Sequence, residues 1–524
     1  MAGSPPQVSS AASSRESRDA AGWHCEAVGT YQQLIPGKSR FSWLDPRPLI
    51  QSRNDRLARR FGDPVNDIRR AWVARQRERE RVPEDLTIRD HAQKERVSFV
   101  LIGDTGEGDG SQYALVPALM RRASDTDFLV ILSDVIYPAG GVGEYLNKFY
   151  WPYASYPAPI YAIPGNHDWY DDLVAFMVHF CRIGVEERSP AVRGPGNTWR
   201  RFVRNSLWRR PRRWETAGDI ARMRALRPRP EQQGSQPGPY FALDTGPLLL
   251  VGIDPGITSE IDRDQAEWLW RVSRSAKPKI LLTGKPIYVD GKYEPSRIEG
   301  MAHETVDDVV RDPECNYVAA VGGDVHNYQR YPVHLPDGRI VQYLVSGGGG
   351  AYTHATHKIP NIDSTPLADR TSEQEYRCYP LRGDSLSMFS RLYDRKLRFR
   401  DGESVEIPVG EASRLMAERL GLTPTRSHDV AAEVSERSRR AFERVFPQRT
   451  RGRAALHHYF SELLDWNEPP MFKSFVRIDA TPDEVRLTCY SATGCREQEL
   501  DPPVEDAVRA TSGADGHWSW ENLK

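Results

Sequence analysis

Long apolar segments are missing from this 524-residue chain. No stretch reaches the roughly 20 consecutive apolar residues that a membrane-spanning helix needs. Residues 1–20 are rich in serine, alanine and proline, and they contain no apolar run like that of a secretory signal peptide. These absences predict a soluble, cytoplasmic protein with no membrane span.

Cysteine is scarce and is not clustered. The six cysteines include no CxxC pair, which argues against a structural zinc site and against a disulfide framework. Cys489 and Cys495 can face each other across a hairpin, but reduced thiols are the expected state in the cytoplasm. We therefore predict no structural disulfide.

An overall excess of charge of one sign is also missing, since 71 Lys and Arg residues balance 72 Asp and Glu residues. Composition alone therefore indicates no polyanionic partner. One segment departs from this balance: residues 188–230 contain thirteen arginines, no lysine, and the tryptophans Trp199, Trp208 and Trp214. Such a segment can contact a polyanion, because guanidinium groups match phosphate and indoles stack on bases. It can also be structural and pair with acidic surface such as Glu304 to Asp312, and we favour this interpretation.

Short apolar runs recur along the middle of the chain and predict strands. They are Val97–Ile102, Phe128–Leu132, Ile160–Ile163, Tyr240–Leu243, Leu248–Ile253, Ile280–Leu282, Tyr317–Val321 and Val341–Val345. Helical patterns lie between several of them, notably at Asp264–Val272. Near-continuous apolar strands joined by helical crossovers predict an α/β fold with a layered, mostly parallel sheet.

Composition and patterning also suggest a division of the chain into segments. We expect a disordered tail (1–21), an N-terminal helical extension (22–95), a core (96–352) that carries the arginine-rich insertion (188–230), a polar, partly helical insertion (353–470), a core-closing β-hairpin (471–496) and a C-terminal tail (497–524).

Polar residues follow several predicted strands directly. Asp104 follows the first, Asp134 with Tyr137 follows the second, and Asn166-His167-Asp168 follows the third. Much later, Gly323-Asp324-Val325-His326 follows another strand. The carboxyl ends of parallel strands meet at one edge of a sheet, so hard oxygen and nitrogen donors are delivered to one place. We therefore predict a metal cluster.

This order of motifs resembles the calcineurin-like metallophosphoesterases, and most of all their purple acid phosphatase branch. The resemblance covers roughly residues 96–187 and 238–352 and resumes at 472–494. It implies a layered α/β/β/α sandwich, here with an N-terminal extension and two insertions. It also implies metal-dependent hydrolysis of a small phosphate ester by a metal-bound hydroxide, of the phosphomonoesterase or nucleotide phosphatase type. The alternative is a degenerate member that holds one metal and binds phosphate ligands or a protein partner without turnover.

The resemblance implies a complete first metal site. Its ligands would be Asp104, a bridging Asp134, Tyr137 and His326, while Gly106 matches the glycine of the purple acid phosphatase motif. Three potentially anionic ligands, one of them a phenolate, favour iron at this position.

The second site departs from the family pattern. Asp134 and Asn166 match it, but Gly284 and Asp324 stand where the family has histidines. The remaining oxygen ligands can hold a divalent ion such as Mn, Mg, Zn or Ca. Alternatively, the ammonium group of Lys285 replaces the second cation, or the site is an inert vestige. His303 or His357 can also complete the site from a loop.

For catalysis, His167 matches the family histidine beside the phosphoryl oxygens and would protonate the leaving group or stabilise charge, with Asp168 orienting its ring. Lys285, Lys292 and Arg297 are the nearest cations in the sequence and would bind the phosphate; the alternative is that they are solvated surface residues. The sequence gives no oligomeric state.

Overall fold

The computed structural model describes residues 25, 29–36, 46–79, 82–191, 194–210, 215–397, 403–422, 430–445, 468–495, 499, 501–513 and 517–524. The expected disordered tail, residues 1–21, lies outside the described residues. Among the described residues no helix is both long and apolar enough to cross a membrane.

The strands fall close to the apolar runs of the sequence. In chain order they are Thr87–Ile88 (β1), Val97–Gly103 (β2), Phe128–Leu132 (β3), Ile160–Ile163 (β4), Phe241–Asp244 (β5), Leu249–Ile253 (β6), Glu260–Ile261 (β7), Lys279–Thr283 (β8), Tyr288–Val289 (β9), Lys292–Tyr293 (β10), Arg297–Ile298 (β11), Met301–Thr305 (β12), Tyr317–Gly322 (β13), Tyr328–His334 (β14), Ile340–Ser346 (β15), Arg377–Tyr379 (β16), Lys473–Ala480 (β17), Glu484–Ala492 (β18), Val504–Ser512 (β19) and Trp518–Asn522 (β20).

Most of these strands form two large sheets. One has the order β1-β5-β6-β8-β13-β15-β14-β16, and the other has the order β20-β19-β18-β17-β2-β3-β4. The strands that lead to the predicted site run parallel to one another: β2, β3 and β4 in one sheet, and β6, β8, β13 and β15 in the other. One edge of each sheet is antiparallel, at β16 and at β20, whereas β1 and β4 at the opposite edges pair in parallel with β5 and β3.

Helices cover the sheets and extend the chain at its N-terminal side. In chain order the α-helices are Pro46–Gln51 (α1), Arg53–Phe61 (α2), Val65–Arg77 (α3), Gly110–Tyr113 (α4), Val116–Arg122 (α5), Val174–Phe180 (α6), Thr198–Leu207 (α7), Ala217–Arg224 (α8), Arg263–Ser273 (α9), Val306–Arg311 (α10), Arg382–Leu397 (α11), Val409–Leu420 (α12) and Glu436–Val445 (α13).

The buried side chains divide into layers that follow from strand alternation, because successive side chains of a strand point to opposite faces. Leu101 and Val130 face Leu282 and Leu344 in a core between the two sheets. On the outer face of the second sheet, Val100 and Ile131 pack against helices that include α3. On the outer face of the first sheet, Val251 and Leu281 pack against α9 and α10. The α/β/β/α sandwich is confirmed.

The C-terminal residues correct one expectation. We predicted a tail over residues 497–524, but β19 pairs with β18 and β20 pairs with β19 along antiparallel ladders. The buried Arg330 donates to Asp506 on β19 over 2.6 Å. These strands contain many polar and charged residues, so their apolar pattern is weak, and the pairing comes from the sheet edge that β18 offers.

The cysteines correct a second expectation. Cys25 and Cys495 form a disulfide, while Cys181, Cys315, Cys378 and Cys489 are free thiols. The partners are 470 residues apart in the sequence, so no local spacing could indicate the pair. The alternative pair that we considered, Cys489 with Cys495, is excluded because Cys495 is bonded to Cys25.

The arginine-rich insertion supports the fold, but through other partners than expected. Arg227 is buried and donates to the backbone carbonyls of Tyr153, Tyr156 and Ala158. Arg224 donates to the carbonyl of Val178. These arginines bind carbonyl oxygens of the core rather than the acidic segment from Glu304 to Asp312. Trp214 lies outside the described residues.

Candidate metal centre

The carboxyl ends of the central strands bring the predicted ligands together. Asp104 directly follows β2 and Asp134 follows β3 by one residue, in neighbouring parallel strands. Asp324 and His326 follow β13 of the other sheet. The two sheets meet here, since the backbone N–H of Asp324 donates to Oδ2 of Asp104 over 2.8 Å.

The hydroxyl of Tyr137 lies at the centre of this cluster. It is 3.1 Å from Oδ1 of Asp104, 3.0 Å from Oδ2 of Asp134 and 3.0 Å from Nε2 of His326. All four residues are at most 4% exposed. By themselves, the His, Cys, Asp and Glu side chains of the described residues form no group of three that could hold a metal. The cluster therefore depends on the tyrosine oxygen as its fourth donor.

The charges of this cluster call for a cation. Burial raises the pKa of Asp104 well above its usual range, and the negative charges of Asp134 and Asp324 raise it further. Burial also raises the pKa of Asp134, and it raises the pKa of Tyr137 well above that of a free phenol. Two carboxyl groups and a phenol packed this closely are strongly destabilised when they ionise without a counterion. These oxygen donors, together with a neutral imidazole, fit a bound metal ion.

A backbone carbonyl fixes the ring of His326 in a ligand orientation. Nδ1 lies 2.8 Å from the carbonyl oxygen of Tyr352, and because that oxygen can only accept, Nδ1 carries the proton. Nε2 then presents its lone pair to the cluster, as in metal-binding histidines. Burial lowers the pKa of His326 to about 3, so the ring is neutral. His354 stacks on it at 4.2 Å between ring centroids, a contact that sequence reasoning missed.

The backbone at the site is strained. Asp104, Asp134 and Asp324 have φ angles of 56°, 34° and 70°, in a region that residues other than glycine rarely adopt. Such strain persists where the surrounding structure over-determines it, as at functional sites. Gly106 meets a related constraint, because a Cβ atom there would lie 1.8 Å from the carbonyl oxygen of Val135. No side chain, histidine included, fits at Gly106 without a backbone shift.

The second site contains an oxygen donor and an ammonium group. Oδ1 of Asn166 is buried and has no hydrogen-bond partner among the residues that the structure describes, while its Nδ2 donates to the Tyr170 hydroxyl over 2.7 Å. Nζ of Lys285 donates to Oδ1 of Asp324 over 2.7 Å. At Gly284, a Cβ atom would lie 2.6 Å from the carbonyl oxygen of Pro164. The backbone there leaves no room for the histidine of the family pattern.

His167 lies beside the cluster, but its orientation differs from the prediction. Its Nδ1 is 2.6 Å from the carbonyl oxygen of Pro138, so the carbonyl and not Asp168 orients the ring. Asp168 instead accepts the backbone N–H groups of Val135 and Gly165, each over 3.0 Å. Asp168 therefore links the loops that carry Asp134 and Asn166. The prediction that it orients His167, which relied on their adjacency in the sequence, is wrong.

Other predicted residues lie away from the centre. Lys292 and Arg297 pair with Glu294 and Glu260 at 3.9 and 3.5 Å, and neither lines the cavity above the cluster. His303 lies exposed on β12. His357 is buried against Ser385, whose Oγ lies 2.8 Å from its Nδ1. Neither histidine completes the second site.

The cavity above the cluster has a volume of about 950 Å³. The predicted residues that line it are Asp134, Tyr137, Asn166, His167, Lys285, Asp324 and His326. Its opposite wall comes from the N-terminal extension, with Leu49, Ile50, Arg53, Arg56 and Arg59. Sequence reasoning placed this extension outside the site. The only signal was the repeat of arginines every three residues on α2, a pattern that surface helices share.

Comparison with known proteins agrees with this geometry. Residues 97–328 match the sequence model of the calcineurin-like phosphoesterase family, which confirms the family resemblance. No curated protein sequence gives a significant match to the chain.

Solved structures give distant similarities. A purple acid phosphatase from yellow lupin (Lupinus luteus) seeds is 13% identical with a TM-score of 0.38, and the match covers 80% of this chain and 54% of the lupin enzyme. The chain thus spans about half the length of that enzyme. A structure of PhoD is 9% identical with a TM-score of 0.34, covering 83% and 72% of the two chains. A Plasmodium protein described as the anchor in the inner membrane complex is 14% identical with a TM-score of 0.30, covering 50% and 74%. With TM-scores this low, the family assignment relies on the sequence match.

Proposed function

Residues 97–328 belong to the calcineurin-like phosphoesterase family, and on that premise we propose that the chain hydrolyses small phosphate esters as a metal-dependent phosphomonoesterase or nucleotide phosphatase. The reaction adds water to phosphorus. A new P–O bond forms, the ester P–O bond breaks, and a proton goes to the oxygen of the departing alcohol.

One observation carries the proposal. Asp104, Asp134 and His326 each lie within 3.1 Å of the Tyr137 hydroxyl. Of this cluster, Asp134, Tyr137 and His326 line a cavity that His167 and Lys285 also line. A metal ion held by these four residues would supply electrostatic stabilisation and lower the pKa of bound water. Because the set includes a phenol and two carboxyl groups, we propose iron for this position, as in the purple acid phosphatase branch.

The protein groups around the cluster support the remaining chemistry. The Nδ1 proton of His167 is engaged by the Pro138 carbonyl, so Nε2 is the atom that exchanges a proton with the leaving-group oxygen. Lys285 brings an ammonium group to the same cavity, where it binds phosphoryl oxygens as a point charge. Asn166 offers its buried Oδ1 to a second, divalent ion.

A second candidate function is phosphate binding without turnover. The Lys285–Asp324 pair at 2.7 Å favours it, because this ammonium group takes up one carboxylate of the second site. In that case the chain holds one metal and recognises phosphate ligands or a partner without hydrolysing them.

Kinetic assays on the metal-restored protein separate the two functions. The metal content per chain is measured first, and a generic aryl phosphate and a generic aryl diester are then assayed with each metal restored. Hydrolysis predicts turnover of the monoester that falls at least about 100-fold in Asp134→Asn, because the bridging carboxylate positions the metal. If wild type turns over neither substrate and Asp134→Asn behaves identically, the binding function replaces it.

A further inference from the structure

The N-terminal extension forms a basic wall of the cavity. Helix α2 faces it with Arg53, Arg56 and Arg59, and Asp55 lies among them. The other face of the helix is buried through Leu57 and Ala58. Three positive charges against one negative charge therefore face the metal cluster across the cavity.

Hydrogen bonds fix this wall relative to the cluster. Asn54 donates from Nδ2 to the carbonyl of Tyr170 over 3.2 Å, and the Tyr170 hydroxyl accepts from Asn166 of the second site. Ser52, at the start of α2, donates to the carbonyl of Pro138 over 3.2 Å. The same carbonyl accepts from His167. The wall and the cluster therefore share one anchoring atom, the carbonyl oxygen of Pro138, and one anchoring residue, Tyr170.

The three arginines differ in the hydrogen bonds and ion pairs that their guanidinium groups already make within the protein. Arg53 donates to the backbone carbonyls of Leu207 and Ile50. Arg59 donates to both carboxylate oxygens of Asp55 at 3.0 and 3.1 Å. Arg56 lies exposed between them on the cavity side, and within the described part of the chain no hydrogen bond or ion pair engages its guanidinium. Arg56 is therefore available to a ligand, and Arg59 stands one turn further along to assist it.

From this arrangement we infer that Arg56, with Arg59, binds a second phosphoryl group of the substrate, so that the preferred substrates are organic polyphosphates such as nucleoside triphosphates. A cavity of about 950 Å³ is at the upper end of ligand pockets and far exceeds the needs of one phosphoryl group. Guanidinium forks match phosphate oxygens in geometry and charge. The inference rests on the proposed function for the reaction, but binding of a phosphoryl group at the subsite can be measured without turnover.

A neighbouring residue provides a matched control. Arg60 follows Arg59 on the same helix and is exposed, but it does not line the cavity and lies over the ring of Phe61 instead. Arg60→Ala removes the same charge from the same helix without touching the proposed subsite. If the helix attracts phosphate only through its overall positive charge, Arg56→Ala and Arg60→Ala should weaken that attraction equally. If Arg56 contacts the ligand directly, only Arg56→Ala should weaken it.

The experiment compares a nucleoside triphosphate with an aryl phosphate that carries no second phosphoryl group. At fixed ionic strength, kcat/KM is measured for both substrates in wild type, Arg56→Ala, Arg56→Glu and Arg60→Ala. We expect the ratio of the triphosphate to the aryl phosphate to fall about tenfold in Arg56→Ala and further in Arg56→Glu, because a charged hydrogen bond to phosphate is lost. The ratio should stay at the wild-type value in Arg60→Ala.

Two results would overturn the subsite: an unchanged ratio in Arg56→Ala, or an equal fall in Arg56→Ala and Arg60→Ala. If wild type hydrolyses neither substrate, the proposed function fails and the subsite is tested by calorimetry with tripolyphosphate and orthophosphate. About tenfold weaker tripolyphosphate binding in Arg56→Ala than in Arg60→Ala then supports it, while equal binding rejects it.

Discussion

At the scale of single residues, the pair of Lys285 and Asp324 is where this site departs most from the family pattern. Its 2.7 Å contact brings an ammonium group next to the carboxylate that stands in place of a histidine. The other histidine of the family pattern does not fit at Gly284, since its Cβ atom would collide with the carbonyl oxygen of Pro164. On the proposed function, this fixed positive charge would replace the missing imidazole ligands and keep part of the electrostatic attraction for phosphate.

Replacing Lys285 tests this exchange. In Lys285→Ala we expect kcat/KM for an aryl phosphate without added divalent ions to fall about 10- to 100-fold, because a charged contact to the phosphoryl group is lost. Added Mn²⁺ or Mg²⁺ should restore part of the activity, since Asp324, Asp134 and Asn166 then offer oxygen ligands. The content of the first metal should not change.

The control for this prediction is Lys292→Ala, which removes an exposed lysine outside the cavity. A variant Lys285→Ala that keeps wild-type activity and shows no response to divalent ions would mean that the pair is an inert vestige.

At the scale of elements, a buried ion-pair network attaches helix α3 to the core. Arg69 donates from Nε to Asp254 and from Nη1 to Asp262, both over 2.8 Å, with these side chains at most 1% exposed. Asp254 also accepts from Nε1 of Trp169, two residues beyond His167. The extension is thereby bound to the loop that carries His167. This attachment helps to hold the basic wall on α2, which directly precedes α3 in the chain.

Replacing Arg69 tests the attachment. We expect Arg69→Met to lower the free energy of unfolding by about 3–5 kcal/mol, because two buried carboxylates lose their counterion. Arg70 is the matched control, since it lies on the same helix with its side chain 30% exposed, and Arg70→Ala should change stability by about 1 kcal/mol or less. Thermal and denaturant unfolding measure both variants. Equal small losses would show that the network does not hold the extension.

At the scale of the whole molecule, the central strands and the proximity of Asp104, Asp134, Tyr137 and His326 could be predicted from the sequence. The apolar runs before Asp104, Asp134 and Asn166 mark buried parallel strands, and such strands bring their carboxyl ends together. The cavity wall was not predictable. Arg56 and Arg59 look like ordinary residues of a solvated helix face, and only tertiary packing directs that face to the cavity. The orientation of the His167 ring could not be predicted either, because it depends on the backbone carbonyl of Pro138, which no side-chain pattern indicates.

A disulfide joins Cys25 to Cys495, 470 residues further along the chain. Titration of thiols in the protein unfolded without reductant should therefore find four free thiols, those of Cys181, Cys315, Cys378 and Cys489. After reduction, all six cysteines should react. The Cys489→Ser variant should lose one thiol before reduction, whereas Cys495→Ser should not lose any, because it frees Cys25. Six reactive thiols before reduction would disprove the pair.

The most direct test of the whole account is the metal content of wild type beside Tyr137→Phe and His326→Ala, read by elemental analysis together with the visible spectrum. We predict at least one metal ion per wild-type chain, with a purple phenolate-to-iron absorption band. The band should disappear in Tyr137→Phe, and metal content should fall in His326→Ala. A wild-type chain that binds no metal after incubation with iron and divalent ions, or a stoichiometry that neither substitution changes, would contradict the claim that these four residues hold one ion.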